Sequence, residues 1–152
     1  MKGAIRFRGV KMADIRACLH AWLESESVAS TLTPYAQTTL SFELLRQTYC
    51  EDKLAGIPYQ QELRVPQGAI KWERDLPRFA GLFKGGCIHE RNTCDWLCVK
   101  TLGALALTQG EPCARAIAAW SGAENLWQCR AAAVAFINLA AGGDTLFPGS
   151  ST

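Results

Sequence analysis

"ADIRACLHAWL", residues 13–23, places Ile15, Cys18, Leu19, Trp22 and Leu23 at i, i+3, i+4, i+7 and i+8. That spacing gathers the apolar side chains onto one face of a helix and leaves the polar ones opposite. The same period continues along the chain. Ser25–Pro34 reads as a polar loop, and a second helix is predicted over Tyr35–Tyr49 with Leu40, Leu44 and Leu45 turned inward. A third starts near Glu51 with Leu54 and Ala55 facing the core, and Pro58 is expected to interrupt it, because a proline inside a helix costs about 3 kcal/mol. Val65–Trp72 reads as a connector broken by Pro66 and Gly68.

The pattern then resumes. Leu76, Phe79, Ala80 and Phe83 mark a helix that Gly85-Gly86 should close, glycine being the favoured residue past a helix end. Asn92 or Thr93 is the predicted N-cap of the next, with Trp96, Val99, Leu102 and Gly103 on its inner face. Glu111-Pro112 restarts the chain into Ala114, Ile117 and Ala118. Asn125 opens the last clear helix, with Leu126, Cys129, Ala133 and Ile137 along one stripe and Gly142-Gly143 as its end. No alternating run long enough for a strand is present. The reading is therefore all-α, one domain over residues 1–152, and short loops between helix pairs suggest either an α-solenoid or a compact bundle.

Composition sets the limits on partners. With 49% hydrophobic and 20% charged residues over 152 positions the chain is ordinary for a globular protein, and its net charge of +2 is too near neutral to point to a polyanion partner. Lys2, Arg6, Arg8, Lys11 and Arg16 nevertheless stand against a single acid, Asp14, in the first sixteen residues. Such a patch suits phosphate, although composition alone favours a solvated basic end. Met1-Lys2 leads to Arg6 and Arg8 rather than to an apolar signal core, and the apolar run Ala131–Ile137 is too short to cross a bilayer. Seven cysteines, an odd number without a disulfide-like framework, fit a reducing cytoplasm. The expectation is a soluble cytoplasmic protein with no membrane contact.

Few residues carry obvious chemistry. Cys94 and Cys98 share a helical face below His89, but a zinc site wants four ligands and the fourth is missing, so both thiols read as core and no metal or cofactor is expected. His20 has no visible partner. If Asn92 caps its helix, Asp95 occupies the third helical position, where a carboxylate favours the dipole, and capping is its simplest role. Arg130 reads as an arginine with its stem on apolar surface, and Trp96, Trp120 and Trp127 as packing residues.

Four ordered segments alter that balance: "MKGAIRFRGVKM" (1–12), "EDKLAGIPYQQE" (51–62), "NTCDWLCVKTLG" (92–103) and "NLWQCRAAAVAF" (125–136). Together they resemble the DNA alkylation repair family of AlkD-like DNA glycosylases, from Met1 to about Pro148. The resemblance implies a curved stack of HEAT-like helix pairs with a basic face for alkylated duplex DNA, and excision of cationic N3- or N7-alkylated purines. Such a base already carries positive charge and leaves without a general acid. What the reaction asks for is a carboxylate that stabilises the cationic sugar and positions water. Asp95 falls on the family's catalytic aspartate and Arg130 on its phosphate-facing arginine, while Lys2, Arg6, Arg8 and Lys11 become candidate DNA-backbone contacts.

Three departures accompany the match. Arg91 stands one turn before Asp95, where the family has a tryptophan; it can pair with Asp95 at i, i+4 and repel a cationic base. Relatives continue into further helices bearing another active-site tryptophan, so the solenoid is expected to be incomplete at its C-terminal end. Pro58 falls where relatives carry an unbroken helix. The combined expectation is a glycosylase-like protein with weak or absent activity, the alternatives being a non-catalytic DNA-binding or lesion-sensing protein and a helical scaffold for protein partners.

Overall fold

The structure, a computed structural model, describes residues 6–140, the side chain of Ala140 excepted. Lys2 and the Gly142-Gly143 stop lie outside the described residues. Among those described the chain is all-α, with one isolated backbone bridge between Arg6 and Tyr49 and no strand.

Helix α1 (Met12–Ser25) is followed by the short α2 (Val28–Thr31), which occupies part of the expected polar loop and is entered through Ser27 at φ 51°. Helix α3 (Pro34–Leu45) starts where Thr33 Oγ1 accepts the Ala36 N–H at 3.1 Å, with Pro34 preset for the first turn. It ends four residues before the predicted Tyr49. Helix α4 (Cys50–Pro58) corrects the reading of Pro58: the chain keeps helical dihedrals through Tyr59 and widens into a π-helical segment, Tyr59–Arg64. Shifting from i→i+4 to i→i+5 pairing absorbs the missing proline N–H, so residues 50–64 form one continuous helix.

Helix α5 (Trp72–Lys84) ends at the predicted Gly85-Gly86. A second long helix covers residues 91–109: α6 (Arg91–Trp96), a π-helical segment (Leu97–Leu102) and α7 (Gly103–Gln109). Helix α8 (Glu111–Ala118) runs into a 3-10 turn (Ala119–Gly122), and α9 (Leu126–Val134) and α10 (Ile137–Ala140) follow. Asn125, predicted to begin this helix, is its N-cap, its Oδ1 accepting the N–H groups of Trp127 and Gln128, both at 3.0 Å.

Successive pairs stack into two layers. Helices α3, α5 and α8 make one; helix 50–64, helix 91–109 and α9 make the other, side by side. This arrangement is a helical repeat rather than a closed bundle. Phe42 of α3 meets Phe79 of α5 with ring centroids 4.7 Å apart, and Phe83 meets Trp120 edge-on at 6.0 Å. Between the layers lie Leu45, Ile57, Leu82, Leu97, Leu102, Leu105 and Ile117, fully buried. Each such side chain contributes about 1.5–3 kcal/mol on burial.

The buried polar groups tie repeat to repeat. Lys53, 4% exposed, donates its ammonium hydrogens to Leu45 O at 3.0 Å and Cys87 O at 2.8 Å. One cation thus satisfies the carbonyl ends of α3 and of the turn after α5, where helix dipoles favour positive charge, while burial pulls its pKa down.

Two predicted faces are corrected. On α1 only Ile15 and Leu19 are buried, while Cys18 and Trp22 stay exposed. On α9 the stripe Leu126, Cys129, Ala133 and Ile137 is the outer face, with Leu126 73% exposed; Gln128, Ala131, Ala132 and Val134 point inward. Small alanines let α9 lie close to helix 91–109, and a Cβ on Gly103 would sit 2.9 Å from Ala135 O. Gly103→Ala should therefore cost about 1–3 kcal/mol in urea unfolding, whereas Gly122→Ala, whose Cβ meets nothing within 4 Å, should stay within about 0.5 kcal/mol.

Candidate functional site

The helix that carries Asp95 is capped by neither Asn92 nor Thr93 but by Glu90, whose carboxylate accepts the Asn92 N–H at 2.7 Å and the Thr93 N–H. Asp95 therefore lies at the fifth helical position, past the first turn, and takes no part in capping. Its partner comes from across the layer. Arg130 of α9 donates Nε–H to Asp95 Oδ1 at 2.7 Å and Nη2–H to Oδ2 at 2.8 Å, a two-point fork on the carboxylate. The Gly103–Ala135 approach and a contact of Cys94 Sγ with Trp127 O at 3.8 Å hold the two helices in the register that makes this pair.

Arg130 sets the state of the acid. Its hydrogen bonds hold the Asp95 carboxyl below the usual carboxylate range; partial burial opposes the shift, and Arg91 adds to it. Arg91 extends into solvent with its Nε 3.7 Å from Asp95 Oδ2, the pairing its spacing predicts. Two guanidinium groups on one carboxylate leave the cluster with a net positive charge. Arg130 commits two of its N–H donors to Asp95, and the other three are left for another acceptor. The adjacent Trp96 ring carries the Lys100 ammonium 5.8 Å from its centre, so this aromatic surface already faces a cation from the chain itself.

The family model described as DNA alkylation repair enzyme matches residues 1–146. The chain belongs to this family. No curated protein and no solved structure matches it.

Other candidate residues of this DNA alkylation repair family member reach the same edge by different routes. The Cys50 N–H donates to Arg6 O at 2.7 Å, and Glu51 Oε1 accepts the N–H groups of Arg8, Gly9 and Val10 at 2.8, 2.8 and 3.3 Å. Burial pushes the Glu51 carboxyl up, but these backbone donors outweigh it and the net shift is down. The segment is thereby fastened to the start of α4, and Cys50 Sγ lies 3.8 Å from Thr93 Oγ1 at the start of α6. Helices α4, α6 and α9 thus present their N-terminal ends along one edge, with Asp95 and Arg130 beside it. Arg6 and Lys11 are exposed. Arg8 is occupied, pairing with Asp52 at 2.5 Å and lying 4.0 Å over the Tyr49 ring.

Cys94 and Cys98 are fully buried with their sulfurs 4.0 Å apart. Their mutual hydrogen bond, with burial, pushes the Cys98 thiol far up, so it stays protonated. His89 Nδ1 contacts Gly86 O at 2.8 Å. Among the described residues no group of three or more His, Cys, Asp or Glu is placed to hold a metal ion.

Sequence reasoning missed the Glu90 cap and the Asp95–Arg130 fork. The fork had no local signal, since the partners are 35 positions apart. In Arg130→Gln the Asp95 carboxyl should titrate closer to the ordinary value near 4, as read by NMR of the side-chain carboxyl. The sign follows from the depressed folded-state pKa: the pair stabilises the fold above about pH 4 and loses that effect as pH falls through the folded value. The stability gap between wild type and Arg130→Gln should accordingly shrink in acid.

Proposed function

We propose that this member of the DNA alkylation repair family acts as a DNA glycosylase on cationic N3- or N7-alkylated purines in duplex DNA. The observation that supports this reading is Asp95 itself: ionised, released from capping, partly exposed and held in one orientation by Arg130. A carboxylate fixed beforehand stabilises positive charge as it develops on the sugar and needs no reorganisation at the moment of bond cleavage. The leaving purine takes the bonding electrons and departs neutral, so no proton donor is required. The remaining N–H donors of Arg130 suit a neighbouring phosphate, and Arg6, Lys11 and Lys2 would contact the DNA backbone further along. The free thiols suit the cytoplasm as its place of work.

A second reading rests on Arg91. Two guanidinium groups dampen the charge of Asp95, and Arg91, 3.7 Å from it, opposes the approach of a cationic base. That arrangement lowers excision while favouring phosphate, as a non-catalytic lesion-binding protein would. The two are separated by incubating purified protein with methylated duplex and measuring free methylated purine beside Asp95→Asn. Release by the wild type that falls by about 10² or more in Asp95→Asn supports the glycosylase. Folded protein that binds duplex with a steep salt dependence yet releases no base supports the second reading.

A further inference from the structure

Arg64 closes the helix that starts at Cys50, and only 4% of the residue is exposed. Among the described residues no carboxylate lies within ion-pair distance of it. Its Nη2 donates to Gln67 Oε1 at 2.5 Å, and its Nη1 reaches Pro34 O only at 3.5 Å. Nε is buried without a hydrogen-bond partner. Among the described residues the other buried ionic groups are better served: Asp75 has two arginines, Glu51 three backbone N–H donors on one oxygen, and Lys53 two carbonyls. A guanidinium taken out of water without an anion carries a desolvation penalty that neutral acceptors only partly offset. The helix C-terminus and the Tyr59 ring, 5.7 Å away, reduce it further but leave the Nε proton unused.

Arg64 also lines a cavity of about 390 Å³ between α1, α2 and helix 50–64. Gln37, Tyr59 and Gln67 supply its other polar wall, and Leu23, Val28 and Leu63 an apolar one. Of the acids nearby, Glu62 is already held by Arg16 at 2.7 Å and by His20 at 3.7 Å. Glu24, which also lines the cavity, is exposed and makes no ion pair among the described residues. A single buried cation, amide and phenol groups beside it and an aliphatic wall opposite suit a compact molecule with one oxyanion at one end.

We propose that this cavity binds a small organic oxyanion, a short-chain carboxylate or a phosphate monoester. The guanidinium of Arg64 takes the oxyanion, and Leu23, Val28 and Leu63 cover the carbon body. The site is separate from Asp95: it lies at the C-terminal end of helix 50–64, whereas Asp95 lies beside the N-terminal ends of that layer. It does not depend on the glycosylase reading.

The test is titration calorimetry of the whole chain with butyrate, ribose 5-phosphate and the uncharged butyramide, with thermal unfolding in the same solutions. One of the two anions should bind at a single site and raise the melting temperature, and butyramide should do neither. Arg64→Gln should weaken binding at least about tenfold. Ala29→Trp, which fills the cavity and keeps the guanidinium, should do the same, and it carries the test if Arg64→Gln does not fold. Neither anion binding at about 10 mM, butyramide binding as well as butyrate, or unchanged affinity in a folded variant would overturn the proposal.

Discussion

Gly103 lacks the carbon that would collide with the Ala135 carbonyl, and the pairing of Asp95 with Arg130 depends on that close approach. Helix 91–109 can lie against α9 only because one side of the contact is glycine and the other is a row of alanines. The closeness brings an aspartate from one helix and an arginine from another within 2.7 Å. A larger residue at Gly103 would force the two backbones apart at this point, and hydrogen-bond geometry is sensitive to shifts of a few tenths of an ångström. The fork is in that sense a readout of backbone packing some two turns away.

The layer containing the site has a second unusual element. Both of its long helices pass through a π-helical segment, residues 59–64 and 97–102, and the two segments touch. Each widened turn rotates the side chains after it relative to those before. The first begins directly after Pro58, where an α-turn would lack a donor. The second begins two residues past Asp95, so the acid and the Gly103 contact lie on opposite sides of a local change in winding. Gln60 Oε1 and Thr101 Oγ1, one in each segment, are buried without partners, which marks these turns as places where polar satisfaction is incomplete.

Much of this was legible in the sequence. The helix over residues 13–23, the Gly85-Gly86 stop and the helix start at Asn125 are local signals that the structure contains, although only Ile15 and Leu19 of the first are buried. The four family-like segments led to Asp95 and Arg130. What failed did so for physical reasons. Asn92 and Thr93 are better N-caps by residue type, but the longer Glu90 side chain, before both, accepts from both of their backbone N–H groups. The α9 face differs from the predicted stripe because apolar residues surround that helix and its period has little contrast; Gln128, Ala131, Ala132 and Val134 face inward and Leu126 stays exposed. Pro58 was misjudged because its cost assumes α-helical pairing on both sides. The Arg130 fork and the Lys53 bridge join residues 35 and 34 positions apart at their longest, and no local pattern announces such pairs.

The thiols around Asp95 carry a consequence of their own. Alkylating agents attack nucleophiles, and for cysteine the reactive form is the thiolate. Cys94 and Cys98 flank the acid, fully buried, and the Cys98 thiol is driven away from ionisation; Cys113 is pushed up to about 12 by burial, and Cys50 is raised as well. The hydrogen bond with Cys94 at Cys98, and burial at all three positions, thus hold the thiols of Cys50, Cys98 and Cys113 in the protonated form, which is the one least able to attack an alkylating agent.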